Sequence, residues 1–438
     1  MPGTAFRFMH RIRCKSWEVL NLCKLVIYGG TPLKGQLGVQ GSKNSVLPIL
    51  AASLLTEEPC EIKNCPDLAD VKAAFEILEN LGCRVSYAGT TALVDSSDAC
   101  KADIPNELMR KMRSSVMFLG AILGRFKRAS ISYPGGCELG ARPIDIHLRS
   151  LSRLGTRLTE SGGYINCSIE KYIPQNITLM FPSVGATENI MLFCATMPGE
   201  TLLRNPAREP EIVDLQNFLN CMGAKITGAG TDLIRICGVK KLHGCSYSVI
   251  PDRIAAATYA CAAVSSGGQI TLTKIIPEHL QIFLAVLRDM GVDVFESKNE
   301  ISIRAQKRPL AVPLIKTLPY PGFPTDIQPI LMGVLIKGNG CSVFNETIFE
   351  NRLKHTGEFM RMGADIQVEG MNAIIHGVDR LHGAEVQAAD LRGGAGLLVA
   401  GLGARGKTTI SNVHHIKRGY ADIVGDFRKL GAKIELKE

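Results

Sequence analysis

VKAAFEILENLGCRV, residues 71–85, reads as an amphipathic stretch, a glycine and the start of a strand, and the chain carries six versions of it. Its centre is LGCRV at 81, LGTRL at 154, MGAKI at 222, MGVDV at 290, MGADI at 362 and LGAKI at 430. Gly82, Gly155, Gly223, Gly291, Gly363 and Gly431 follow one another at intervals of 68 to 73 residues. A glycine suits a helix C-terminus because it enters left-handed backbone without a Cβ clash. A second element repeats in phase, an apolar helix running through a turn into a strand. It reads AASLLTEEPCEI from 51, GAILGRFKRASIS from 120, CATMPGETLL from 194, AAVSSGGQITL from 262, LIKGNGCSVF from 335 and GLGARGKTTIS from 401. Each unit therefore holds two helices and several strands, more than a solenoid repeat contains. Six units predict two domains of three, α/β or α+β in class, with helices inside and sheets outside or the reverse.

The repeat also disposes of a false lead. Residues 401–408, GLGARGKT, satisfy both GxxxxGK[ST] and GxGxxG. Those phosphate loops need a strand before and a helix after. Here a helix-like stretch precedes and a strand-like one follows, as at the five sister turns.

The chain has 438 residues, 46% hydrophobic and 21% charged, the profile of a soluble globular protein with room for two cores. No apolar run reaches the length of a bilayer span, which argues against membrane insertion. A net charge of +9 favours anionic partners. The basic residues are scattered and the aromatic content is 6%, so a small anionic substrate fits better than nucleic acid. Fourteen cysteines lack CxxC spacing, and most, such as Cys194 and Cys261, sit in apolar contexts. No metal is expected, and a reducing cytoplasm fits best. Residues 1–22 carry Arg7, Arg11, Arg13 and Lys15 but no apolar signal core, and read as an extension outside the fold.

Chemistry-bearing residues concentrate in turns. PGGCELGARPID, 134–145, reads as a flexible loop that sets Cys137 near Arg142, where neighbouring cations favour the thiolate. GSKNSVLP at 41–48 places Lys43 and Asn44 at the head of an apolar helix, a location suited to anions. MRKMRSS offers Arg113, FPSVGATEN opens a helix with Ser183 and Gly185, and GFPTD puts Asp326 after a proline-bounded turn. Arg352, Arg392 and Arg418 come from FENR, ADLR and IKRGY. Taken singly, Asp326 is as well explained as a helix N-cap, and each arginine as a solvated charge.

Together, from about residue 24 onward, these segments resemble the UDP-N-acetylglucosamine 1-carboxyvinyltransferase family. PGGCxxGARPID, AREPEIVD at 207–214, PDR at 251–253 and GFPTD are the specific matches. The resemblance implies an α/β fold, a two-domain inside-out barrel of six βαβαββ units. One domain spans 43–250, and the other joins 23–42 to 251–438. It implies transfer of the enolpyruvyl group of phosphoenolpyruvate to UDP-N-acetylglucosamine, without a cofactor, as the first committed step of peptidoglycan synthesis. Lys43, Arg142 and Arg418 would hold the phosphate, and Arg352 and Arg392 the carboxylate. Asn44, Arg113, Pro143, Ile144, Asp145, Ile146, Ser183, Val184, Gly185 and Ile348 would hold the UDP-sugar. Asp326 would take the proton of the sugar 3-hydroxyl, Cys137 would protonate the methylene carbon, and the epoxide fosfomycin would label Cys137.

Three features depart from the family pattern, the first being residues 1 to about 20, which have no counterpart in it. The glycines of LRGGAG, 391–396, are expected to loosen the helix after Arg392, and Pro329 to shift the helix after Asp326. Three other activities compete. A shikimate 3-phosphate enolpyruvyl transferase would carry an Asn-Ser-Gly-Thr loop, which is not found. A UDP-sugar-binding paralogue without activity would have lost Cys137 or Asp326. A cysteine hydrolase would need a histidine base, for which His147 is the local candidate.

Overall fold

Every one of the six repeat glycines adopts left-handed backbone, with φ between 77° and 100°. The computed structural model describes residues 23–133, 144–305 and 308–437. In it each of these glycines follows a helix that it terminates: Ala69–Asn80, Asp145–Arg153, Pro210–Cys221, Gln281–Asp289, Thr356–Arg361 and Ile423–Lys429. A strand begins within two residues of each glycine.

The second element forms the cores. Lys43–Ala52, Phe118–Phe126 and Val184–Cys194 are buried on nearly all sides in one hydrophobic cluster. Arg253–Ser266, Gln328–Leu335 and Leu391–Gly403 are buried likewise in a second. Helices that are apolar all round belong in an interior, and here six four-stranded sheets surround them. Helices lie inside and sheets outside.

One unit shows the plan. Strands Leu314–Lys316 and Cys341–Asn345 pair in parallel across an inner helix. Asn372–His376 and Asp365–Glu369 then complete the sheet in antiparallel fashion. The order is βαβαββ. Two units borrow strands from the start of the chain. Lys24–Tyr28 lies between Lys407–Ser411 and Lys433–Lys437, while Lys34–Gly38 pairs in parallel with Gln269–Thr273. Ser246–Ser248 in turn returns to Cys60–Lys63.

The chain thus crosses between the two cores twice, and the crossings lie side by side. Gly41 bridges Pro251, Ser42 donates its N–H to the Ile250 carbonyl, and Asp252 donates to that of Gln40. Gly41 has no room for a side chain, since a Cβ would fall 1.7 Å from the Asn64 carbonyl oxygen.

The expected loosening of the helix after Arg392 is corrected. Leu391–Gly403 is one continuous helix, and its glycines serve packing. A Cβ on Gly396 would meet the Pro329 carbonyl oxygen at 2.4 Å, and one on Gly333 the Gly396 oxygen at 2.5 Å, so two inner helices touch backbone to backbone. Pro329 stands in the first turn of Gln328–Leu335, where the missing N–H costs nothing. The Gly401–Thr408 motif runs helix to turn to strand, the wrong order for a phosphate loop.

Candidate functional site

A cleft of about 770 Å³ opens between the two cores and gathers residues from both. Its floor carries two carboxylates, each gripped by two cations.

Lys43 is the first residue of its helix, and its N–H donates to Asp252 Oδ2 at 3.1 Å. The other oxygen of Asp252 caps Arg253–Ser266 through the N–H groups of Ile254 and Ala255. One aspartate therefore fixes helix starts belonging to both cores. The Lys43 amine lies 2.7 Å from Asp70, and Arg418 reaches the same carboxylate from the other core at 2.9 and 3.2 Å. Burial, and then Arg418 and Arg392, pull the Lys43 amine below the usual lysine range, against Asp70, which raises it. Burial disfavours charge on Asp70, yet Lys43 and Arg418 more than offset it and its pKa falls.

Asp326 lies between two guanidinium groups. Arg352 donates to Oδ1 at 2.6 Å, and Arg392 to Oδ2 at 3.1 and 3.0 Å. The N-cap reading of Asp326 fails, because the helix begins at Gln328 with Ile327 at the cap and no side-chain capping bond. Arg352 is 1% exposed and also donates to the Thr325 carbonyl. Burial opposes the charge on Arg392, but Asp326 dominates and its pKa rises. Asp390 caps the helix that carries Arg392.

The opposite wall is built on Val184–Cys194. Ser183 caps it by accepting the Ala186 N–H. Gly185 is needed for close packing, since a Cβ would lie 2.9 Å from the His147 ring. His147 Nδ1 accepts from the Asn189 amide, and burial above all holds the ring neutral by pushing its pKa to about 4. So weak and enclosed a base does not suit a cysteine hydrolase. Deeper in that wall are Glu188, Glu209 and Glu211 with Arg253. Arg253 pairs with Glu211 at 3.0 and 3.3 Å and lies over the Tyr320 ring.

Lys43, Asn44, Arg113, Ile144, Ile146, Ser183, Val184, Gly185, Asp326, Ile348, Arg352, Arg392 and Arg418 all line the cleft. Asp145 starts its helix half-exposed, 3.9 Å from Arg149, and is not part of that lining. Cys137, Arg142 and Pro143 lie outside the described residues. Sequence reasoning missed Asp70, whose surroundings in sequence carry no signal, and Glu188, although FPSVGATEN had stood out. It also missed Glu209, Glu211 and Arg253, although AREPEIVD and PDR had stood out. The described residues contain no His/Cys/Asp/Glu cluster fit for a metal ion, and no helix long and apolar enough to cross a membrane.

The family model described as EPSP synthase (3-phosphoshikimate 1-carboxyvinyltransferase) matches residues 27–427. A UDP-N-acetylglucosamine 1-carboxyvinyltransferase 2 of Caldanaerobacter subterraneus subsp. tengcongensis is 52% identical over 94% of this chain and 99% of its own length. The enzyme so named from Clostridium botulinum is 46% identical over the same shares. Among solved structures, the enolpyruvyl transferase NikO from Streptomyces tendae aligns with a TM-score of 0.85 at 27% identity, covering 95% of this chain and 99% of that one. An EPSP synthase from Acinetobacter baumannii aligns at 0.72 with 18% identity, covering 95% and 100%, a likeness of fold alone.

Proposed function

The chain belongs to the UDP-N-acetylglucosamine 1-carboxyvinyltransferase family, and we propose that it moves the enolpyruvyl group of phosphoenolpyruvate onto the 3-hydroxyl of UDP-N-acetylglucosamine, releasing phosphate. The observation that carries this reading is the pair of carboxylates, Asp70 and Asp326, each held by two of the four cations Lys43, Arg418, Arg352 and Arg392.

Phosphoenolpyruvate brings a phosphate and a carboxylate to be neutralised. Lys43 and Arg418, with Arg142, take the phosphate. Arg352 and Arg392 take the carboxylate, for which the planar guanidinium fork is suited. As that carboxylate arrives it competes with Asp326 for the two arginines. Asp326 is loosened at the moment it is needed as a base, a coupling of substrate binding to proton uptake. Cys137 delivers a proton to the methylene carbon, the electron-deficient C2 is attacked by the sugar oxygen, and Asp326 receives the hydroxyl proton. The tetrahedral adduct then expels phosphate and loses a methyl proton, which restores the double bond. Positioned acids and bases typically contribute about 10²–10⁴-fold each.

Ser183, Val184 and Gly185 at a helix start, with Asn44, Arg113, Ile144, Ile146 and Ile348, form the UDP-sugar wall, and Pro143 and Asp145 are proposed to contribute to the same substrate's binding. The paired crossings at 40–42 and 250–252 are the hinge about which the two halves close. The division into 43–250 and 23–42 plus 251–438 is supported by the membership of the two buried clusters. Peptidoglycan synthesis and a cytoplasmic site of action follow from the substrate pair.

Phosphate release from phosphoenolpyruvate tests the reading. It should require UDP-N-acetylglucosamine, and equal release with shikimate 3-phosphate would transfer the assignment to the sister activity.

A further inference from the structure

Three thiols meet far from the cleft. Cys60 opens a strand whose parallel neighbour begins at Ser246, opposite Glu61, and the Glu61 N–H donates to the Cys245 carbonyl at 2.8 Å. Cys245 is thereby the cross-strand neighbour of Cys60. Cys221 ends the helix Pro210–Cys221, and the His243 N–H donates to the Met222 carbonyl at 2.9 Å, which lays 243–245 against that helix end. The Cys245 side chain is within electrostatic reach of both Cys60 and Cys221. Cys221 is exposed, Cys245 half-buried and Cys60 buried, so the sulfurs lead from solvent inward. None of them lines the substrate cleft.

We propose that Cys221 and Cys245 are a peroxide-sensitive thiol pair, a reversible modification site remote from the substrate cleft, with Cys60 as the third sulfur that can take over the bond. Hydrogen peroxide transfers one oxygen to the exposed Cys221, giving a sulfenic acid and one water. The Cys245 sulfur attacks that sulfur, the S–O bond breaks, and the departing hydroxide leaves as a second water with the Cys245 proton. Two thiols lose two electrons and the peroxide gains them. The Cys60 thiolate can then attack the Cys245 sulfur, which moves the disulfide inward and releases Cys221 as a thiolate that takes a proton from water.

Adjacent strands lie about 4.8 Å apart, within the Cα separation a disulfide accepts, so the inward bond needs no large backbone shift. The charge state fits the inward exchange, in which Cys60 is the attacking sulfur. Interaction with Cys245 lowers the Cys60 pKa against the effect of burial, while that same contact raises Cys245. One sulfur of the cluster is predisposed to be the thiolate.

The test uses the full reduced chain, dilute hydrogen peroxide and peptide mapping without reductant. Cys100 and Cys341, also exposed, are the internal controls. The expected product is a Cys221–Cys245 or Cys60–Cys245 linked peptide, reversed by dithiothreitol. The Cys221 thiol should be lost at least tenfold faster than that of Cys100. Cys245→Ser should abolish the linked peptide and leave a Cys221 sulfenic acid that dimedone traps, and Cys221→Ser should slow oxidation of Cys245. Oxidation of Cys221, Cys100 and Cys341 at equal rates, or the absence of either linked peptide from the wild-type chain, overturns the proposal. Neither result bears on the transferase reading.

Discussion

The floor of the cleft and one of its walls solve opposite problems of charge. On the floor, Asp70 and Asp326 each face two cations, so these four cations carry more charge than the two carboxylates neutralise. In the wall beneath Val184–Cys194 three carboxylates, Glu188, Glu209 and Glu211, face the single guanidinium of Arg253. A surplus of fixed cations is stable while it awaits a polyanion. A buried surplus of carboxylates is not, and protons must make up the balance. Burial, and then Glu211 and Glu209, push the Glu188 carboxyl well above its ordinary range, and burial raises Glu209 as well. One region is poised for ligand charge, while in the other burial favours the protonated form of Glu188 and Glu209.

The largest effect expected from breaking this contrast is at Asp326. Asp326→Asn removes the proposed base, takes the carboxylate partner from Arg392 and leaves Arg352 only Asp390, 3.8 Å away. Phosphate release should fall by about 10²–10⁴-fold in kcat, while UDP-N-acetylglucosamine binding by calorimetry changes only a few-fold. Turnover within a few-fold of the parent would remove Asp326 from the chemistry.

Asp70 comes next. It touches no expected substrate atom and acts by positioning, through Lys43 and Arg418. A charge-assisted hydrogen bond is worth about 1.5–3 kcal/mol, so Asp70→Asn should lower kcat/KM by about 10–100-fold. The pH profile separates this role from simple packing. Asp70 raises the pKa of the Lys43 amine, and removing its charge lets that amine lose its proton at lower pH. The alkaline limb of kcat/KM should therefore move toward acid. A limb that stays in place would mean that Asp70 only packs.

Legibility in the sequence follows the same divide. The repeat glycines were readable because a helix end imposes left-handed backbone on one residue type, whatever lies around it. Lys43, Asp326 and the three arginines were readable because they stand in turns and helix starts with distinctive neighbours, and the matches to a family bound them into one site. Asp70 was not readable. In LADVKAAF it looks like any first-turn acid, and its role is set by Arg418, 348 positions away. Glu188 sits one residue from Asn189 in an apolar helix, where pattern alone cannot tell a buried acid from a solvated one. The glycines of LRGGAG misled because intrinsic helix propensity was weighed without the neighbouring Gln328–Leu335 helix, whose backbone only glycine lets approach. The thiol cluster is likewise a product of strand register: Cys60 and Cys245 meet across a parallel pair formed by segments 185 positions apart.

The smallest effect sharpens the comparison most directly. Glu188 is 3% exposed, and the folded chain holds its proton to a higher pH than the unfolded chain does. The unfolded carboxyl releases its proton near the ordinary value of about 4.3. Above that pH the unfolded state gains by ionising while the folded state cannot, so the parent chain loses stability as pH rises through this window. Glu188→Gln keeps the shape and a donor but does not titrate. Its advantage should therefore be absent near pH 4 and should grow toward neutrality. A gain of ~1 kcal/mol corresponds to a Tm higher by about 2–4 °C for a domain of this size. Thermal unfolding of the two chains at pH 5 and pH 8 measures the difference. A Gln variant that gains nothing at pH 8, or gains as much at pH 5, would mean that Glu188 is ionised in the fold. Some cation other than Arg253 would then have to balance that wall.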